Sequence, residues 1–275
     1  MTTLATRFLN RVLARARKGR DNHAAAESAL FSYVNSDRLF PAERLLRLGT
    51  VYGGWVIPKD SGLGPDSVCY SAGAGEDISF DCGLAERFHC HVRIIDPTPR
   101  AIEHFRKLRE AVISGSPFPI NNSNTDYYSI APKNFDKLAF LPIGLADQDK
   151  ELKFFFPKNP AHVSCSTVNL QKTEEYFIAR CSRLATIMKQ MGDRAIDLLK
   201  MDIEGGEYMV ISDLVTTGEL PRILLVEFDE VHTPLDADAG VRIQRHIKML
   251  EQAGMNCVAV ESSNATFVRS EAFSK

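Results

Sequence analysis

"YSAGAGEDISFD", residues 70–81, decides the fold of this chain. The segment before it, "SVCYSA", is a short apolar run of small and β-prone residues, the mark of a buried strand. The segment from Ile78 on, "ISFDCGLAERFH", has the spacing of an amphipathic helix. Gly73 and Gly75 lie between them, at the carboxyl end of the strand. A glycine there takes positive φ and lets a ligand approach the backbone. Strand, glycine turn and helix in that order make the first unit of an α/β sheet that binds its ligand at the strand ends.

Reading outward, the pattern repeats. "HVRIID" is a second strand and "TPRAIEHFRKLREAV" a second helix. "KLAFLPIGLA" is a third strand, and "ELKFFFPK" an added one. "CSRLATIMKQMG" is a helix, "AIDLLKMDI" a fourth strand, "EYMVISDLVTTG" a helix and "RILLVEFD" a fifth strand. "AGVRIQRHIKMLEQAG" is again helical, with "NCVAVESS" and "ATFVRS" as the last strands. Strands that are apolar throughout, alternating with amphipathic helices, predict a mostly parallel, Rossmann-like sheet covered on both faces. That unit is expected over residues 50–275. Residues 1–49 read as an N-terminal helical extension, with one helix in the first twenty residues and a second over about 23 to 48, ending in "AERLLRLGT". "YGGWVIPKDSGLGPDS" reads as a hairpin or extended lead-in.

The bulk numbers bound the function. The chain has 275 residues, 25% of them charged, and a formal net charge of -2. That balance does not favour a nucleic-acid binder, which carries a strongly basic domain. Cys69, Cys82, Cys90, Cys165, Cys181 and Cys257 are scattered without a C-x-x-C pair, so they read as small buried hydrophobes in a reducing compartment rather than as disulfides or a zinc site. No apolar run approaches the roughly 20 residues of a membrane span, and no signal-peptide core is visible. A cytoplasmic protein is expected. The first twenty residues hold six basic residues and no acid, with Leu4, Phe8, Leu9, Val12 and Leu13 on one helical face. Such a helix lies on an anionic membrane surface or packs on protein; the second reading is preferred. No feature bears on oligomeric state.

Asp96 ends the second strand, about twenty residues after the glycine turn, where an acid can accept from both hydroxyls of a ribose. A nucleoside is therefore expected. A dinucleotide fingerprint would require a third glycine where Ile78 stands. Its pyrophosphate would sit on the helix N-terminus, where Glu76 and Asp77 would repel it. The same acids suit S-adenosyl-L-methionine, which has a ribose, an α-ammonium and a sulfonium but no phosphate. Capping of the helix by Glu76 or Asp77 is compatible with this reading.

A second set of acids runs off the fourth and fifth strands. "LLKMDIEGGEY", residues 198–208, places Asp202 at a strand end, Glu204 in the turn and Glu207 at a helix start. "VEFDEVH" adds Glu227 and His232. All should converge over one cleft.

"KMDIEGGEY" resembles the K-[IM]-D-[VI]-E-G-x-E signature of FkbM-type methyltransferases, a branch of the class I S-adenosylmethionine-dependent fold. "YSAGAGEDISFD" and "DPTPRAI" resemble the first and second motifs of a methyltransferase-like subgroup. The resemblance covers about 50 to 270 and departs from the commoner pattern at Ser71, where an Asp is usual. It implies that Gly73, Gly75 and Asp77 hold the methionine moiety, with Asp77 in place of the missing acid, and that Tyr70 and Ser71 also belong to the cofactor site. It further implies that Asp96 holds the ribose, that Gly144 and Leu145 flank the adenine, and that Asp202 lines the methyl-transfer site. The implied acceptor is a small hydroxylated molecule, a sugar or natural product.

Methyl transfer to a hydroxyl needs alignment and a base. His232 is the candidate base, with Asp202 or Glu204 orienting it. Their spacing matches no strong metal motif, and no metal is expected. The alternatives are an NAD-dependent oxidoreductase and a catalytically silent nucleoside-binding module. Acceptor specificity is expected in three loops, "SGSPFPINNSNTDYYS", "FFPKNPAHVSCSTVNL" and "EVHTPLDADAG", with Tyr127, Tyr128, Phe155 and Phe156 as candidate contacts for a sugar ring.

Overall fold

The structure, a computed structural model, describes residues 29–121, 123–159, 165–169 and 172–272. The basic segment 1–20 lies outside them. In chain order the elements are β1 (Leu45–Leu48), β2 (Trp55–Pro58), β3 (Val68–Ala72), α1 (Ser79–Phe88), β4 (His91–Ile95), α2 (Pro99–Ser114), α3 (Pro132–Phe135), β5 (Leu138–Leu141) and β6 (Gly144–Leu145). They continue with β7 (Lys150–Phe155), β8 (Tyr176–Ser182), α4 (Leu184–Met191), β9 (Leu198–Met201), α5 (Glu207–Thr217), β10 (Ile223–Glu227), α6 (Ala239–Gln252), β11 (Met255–Glu261) and β12 (Asn264–Arg269).

Within these residues the main sheet has seven strands in the order β11-β12-β10-β9-β3-β4-β5. The five strands from β10 to β5 are parallel, and the β11–β12 hairpin closes the edge antiparallel to β10. Alternation along the strands explains the two covered faces. Tyr70, Ala72, Leu199, Met201, Leu224 and Val226 pack under α4, α5 and α6. Cys69, Val92, Ile94, Leu198, Ile223 and Leu225 point the other way, onto α1, α2 and the β1–β2 hairpin. Local signals start and stop the helices: the Thr98 hydroxyl caps α2 by accepting from Ala101 N, Pro99 occupies its first turn, and Gly115 closes it at φ 68°. Among the described residues no helix is long and apolar enough to cross a membrane.

Three expectations change. The helix read over 23 to 48 fails at its end, because Leu45–Leu48 is a strand paired antiparallel with Trp55–Pro58. Leu46 and Leu48 bury against the second core from that ladder, a gain an isolated helix would not have. The third strand divides at Pro142: β5 stays in the main sheet, and β6 joins a small sheet of order β6-β8-β7. Finally β8, which lies in a stretch given no element from the sequence and takes the first two residues of the helix read over 181–192, alternates Phe177, Ala179 and Cys181 inward with Tyr176, Ile178 and Arg180 outward.

Candidate functional site

Strand order reverses between β3 and β9, and a cleft of about 840 Å³ opens there at the carboxyl ends of the strands. The glycine turn forms one wall. Gly73 has φ 84° and donates its N–H to Ile95 O at 3.0 Å; a Cβ on it would fall 1.7 Å from Asp202 O. Only glycine fits between the two strand ends. Lys200, on β9, is buried beneath this turn. Its ammonium donates to Gly73 O, lies 3.4 Å from Asp202 Oδ2 and sits 5.7 Å from the Trp55 ring centre. Beside it Asp81, buried next to Ser71, is pushed up to about 6 by desolvation, which Lys200 partly offsets.

The three acids expected at this wall are brought to the cleft, each with protein partners. Asp96 Oδ2 accepts from Ala74 N (2.8 Å) and Gly75 N (3.0 Å), and Oδ1 from the amide and hydroxyl of Thr98. Those four donors match the four lone-pair positions of a carboxylate, so Asp96 pins the glycine turn. Asp77 accepts from Thr50 Oγ1 (2.6 Å), Asn121 Nδ2 (3.0 Å) and Ser79 N (3.0 Å), joining the β1–β2 loop to the start of α1. Glu76 is held in two-point contact by Arg100, at 2.6 and 3.1 Å, which offsets the charge it was expected to turn against a phosphate.

The opposite wall carries the second set. Glu204 adopts φ 52°, a left-handed conformation rare for a side-chain-bearing residue, and its carbonyl accepts from the Ser166 hydroxyl. Asp229 holds the same turn by accepting from Gly205 N at 3.0 Å. Burial, and then the charge of Asp202, hold Glu227 well above the usual carboxylate range. Asp229 is raised in the same way by burial and then by Glu204. Beneath the turn Glu207 is fully buried. No hydrogen bond of good geometry reaches its carboxylate oxygens, although the amides of Gly205 and of Glu207 itself lie near, and desolvation pushes it up to about 8. Seven acids line the cleft (Glu76, Asp77, Asp96, Asp202, Glu204, Glu227 and Glu261) against Arg47 and Lys200. Arg47 is bound to Glu261 and to the carbonyls of Thr50, Val51 and Gly54.

The Methyltransferase FkbM domain matches residues 79–256, about two thirds of the chain. The chain belongs to the FkbM methyltransferase family. The match begins at the first residue of α1, so β1, β2 and the glycine turn lie outside it. Comparison with curated proteins gives no match. Among solved structures, the chain is similar to an O-methyltransferase family 2 protein from Planctomyces limnophilus DSM 3776 in complex with apigenin. Identity is 10% and the TM-score 0.30, over 74% of this chain and 49% of that one. The matched part is thus about half the length of that structure.

In this FkbM-family chain most of the expected site residues meet in the cleft, those before residue 79 coming from outside the matched segment. Gly73, Gly75, Asp77, Asp96, Gly144, Leu145, Asp202, Glu204 and His232 all line the cleft. Gly144 is there for packing as well, since a Cβ would fall 2.5 Å from Cys181 Sγ. Tyr70 and Ser71 do not line it. Strand alternation sends Tyr70 into the core, where its hydroxyl donates to Asp193 at 2.6 Å, and turns Ser71 toward Asp81. The aromatic lining comes from Tyr52 and Phe154, not from Tyr127, Tyr128, Phe155 or Phe156. Tyr128 is held by Ile78 N and His104, and Phe156 packs on Phe177.

Lys200, Tyr52 and the β11–β12 turn were not assigned from sequence. Lys200 carried a signal, a lysine inside a strand whose neighbours are all apolar. Tyr52 carried none, because only the hairpin swings it over the cleft. His232 Nε2 lies 3.1 Å from Ser263 Oγ and 3.3 Å from Ser262 Oγ. Among the described residues no group of three or more His, Cys, Asp or Glu is placed to hold a metal ion.

Proposed function

We propose that this FkbM domain is an S-adenosyl-L-methionine-dependent O-methyltransferase acting on a small hydroxylated acceptor. The observation that carries the reading is the charge of the cleft: a glycine turn at the switch point, lined by acids, whose two cations are already engaged by protein acceptors. A pyrophosphate would meet repulsion there, whereas an ammonium and a sulfonium would meet counter-charge. The cleft also has the room for such a cofactor, with a volume of about 840 Å³.

When bound, S-adenosylmethionine supplies a methyl group on a positively charged sulfur. Asp202, Glu204 and Glu227 face that charge. Asp96 acts through the turn it pins, and Gly144 and Leu145 flank the adenine. His232, at the rim, takes the proton from the acceptor hydroxyl. Tyr52, Asn264 and the serines of the β11–β12 turn offer the mixed aromatic and polar surface that a hydroxylated ring would use. Alignment of the acceptor supplies the larger part of the rate, and the base about 10²–10⁴-fold. The cytoplasm is the proposed location.

Calorimetric titration with S-adenosylmethionine, its demethylated product and NAD tests this. Micromolar binding of the sulfur nucleosides without NAD binding is expected, with the sulfonium form weakened about tenfold by Asp202→Ala, the loss of one charge-assisted contact. NAD binding in their place would establish the oxidoreductase reading. Cofactor binding without transfer to any hydroxylated acceptor would leave a silent nucleoside-binding module.

A further inference from the structure

Glu227, at the end of β10, and Ser263, in the β11–β12 turn, make a hydrogen-bonded chain behind His232. Ser263 Oγ donates to Glu227 Oε1 at 2.9 Å and lies 3.1 Å from His232 Nε2. A hydroxyl has one proton to give. With it directed at Glu227, Ser263 turns a lone pair toward Nε2 and can accept the N–H of a charged imidazole ring.

The chain is built in rather than incidental. Ser263 is 3% exposed, and its carbonyl accepts from Phe228 N at 2.9 Å, fixing the turn to the residue that follows Glu227. Ser262 adopts φ 56°, which brings a second hydroxyl to 3.3 Å from the same Nε2. A left-handed non-glycine residue at a ligand cleft is strain of the kind that functional sites retain.

We propose that Glu227 and Ser263 are positioning residues that orient His232 and support its positive charge while it takes the acceptor's proton. The inference rests on the methyl-transfer reading above. In that step the acceptor O–H bond breaks and its electron pair stays on oxygen to form the new O–C bond. The proton passes to the imidazole of His232, which lines the cleft. The imidazolium is then faced by the Glu227 carboxyl across the Ser263 hydroxyl, and its charge favours the ionised form of a group that burial and Asp202 otherwise hold above the carboxylate range. Other charges face the same cleft: Asp202, Glu204 and Lys200 from β9 and its turn, Glu261 and Arg47 from the hairpins. The buried Asp229 lies two residues from Glu227. All remain in place when Ser263 alone is changed, so that change isolates the chain.

The test is an NMR titration of the ligand-free protein labelled with ¹⁵N in the histidine rings, His232 being assigned by its loss in His232→Gln. The His232 midpoint is expected to fall by about one pH unit, a tenfold loss of proton affinity, in Ser263→Ala and in Glu227→Gln, and to return in Ser263→Thr. An unchanged midpoint in Ser263→Ala would overturn the proposal. So would a midpoint that moves there but not in Glu227→Gln, because the carboxylate would then play no part. Titration of wild-type protein with S-adenosylmethionine is read separately: its failure would remove the methyl-transfer reading and leave the midpoints to report on the chain.

Discussion

The two ends of the main sheet treat buried charge in opposite ways. At the amino end the half-buried charges are paired. Arg93 meets Asp193 at 3.1 Å, the Tyr70 hydroxyl donates to the same carboxylate, and Asp197 accepts from Val68 N while pairing with Arg222 at 2.9 Å. At the carboxyl end acids crowd together. Glu207, Glu227 and Asp229 are all raised by desolvation and then by neighbouring carboxylates, Glu204 among them for each, and Lys200 is the buried cation beside them. Charges paired at one end serve the fold. Acids left in excess at the other cost stability and are the arrangement that the proposed positive ligand would relieve.

Lys200→Met should break this contrast most severely. It removes the cation between Asp81, Asp202 and the Gly73 carbonyl, and breaking such a buried group costs about 3–5 kcal/mol. Denaturant unfolding should show that loss together with loss of cofactor binding; a stable variant that still binds would mean the acids do not depend on Lys200. Asp193→Ala should cost about 3 kcal/mol by stranding Arg93 at the amino end, yet leave the cofactor affinity of the folded protein unchanged. Reduced affinity there would show that the two ends are coupled.

Glu207→Gln sharpens the comparison through pH. The Glu207 carboxyl is raised to about 8 in the fold, from the ordinary 4.5. Between those values the folded chain holds a proton that the unfolded chain has released. Its stabilising effect is therefore complete below about 4.5 and lost as pH rises through 8. The slope is about 1.36 kcal/mol per pH unit. Thermal unfolding across that window should lose this slope in Glu207→Gln, which should be the more stable protein on the alkaline side. Equal slopes would mean that Glu207 is ionised in the fold.

Asp77→Ala removes the acceptor shared by Thr50, Asn121 and the first turn of α1. A stability loss of about 1 kcal/mol is expected from the cap, with weaker cofactor binding as the β1–β2 loop loosens. Undiminished binding would place that loop outside cofactor recognition. Arg100→Ala should matter least. Its pair with Glu76 is partly exposed and contributes under about 1 kcal/mol, and a larger loss would give the mouth of the cleft a structural weight that the contrast does not assign it.

Legibility in the sequence followed the range of the forces involved. The α1 and α2 boundaries, the buried strands and the glycine turn rest on residues close in the chain, and they were readable. Leu45–Leu48 was not, because "ERLLRL" carries a helical spacing of leucines that only pairing with Trp55–Pro58 overrides. β8 was hidden for a related reason: Tyr176 and Ile178 are apolar but exposed, so its two faces look alike in composition. The site acids show the same division. Asp77 and Asp96 were recognisable as acids at a strand end and a helix start, but which protons they accept depends on Thr50, Asn121 and Thr98, and only for Thr98 does the chain show its neighbour.

The sequence by itself determined the α/β class, the place of the cleft and its acidic character, because period, turn chemistry and residue type act within a few positions. The tertiary structure alone decided which acids are occupied and which remain in excess. It set Lys200 under the glycine turn, drew Tyr70 and Ser71 out of the site, and brought Ser263 between Glu227 and His232 across 36 and 31 residues of chain. Hydrogen bonds and desolvation depend on distance in space, and strand pairing alone fixes that distance.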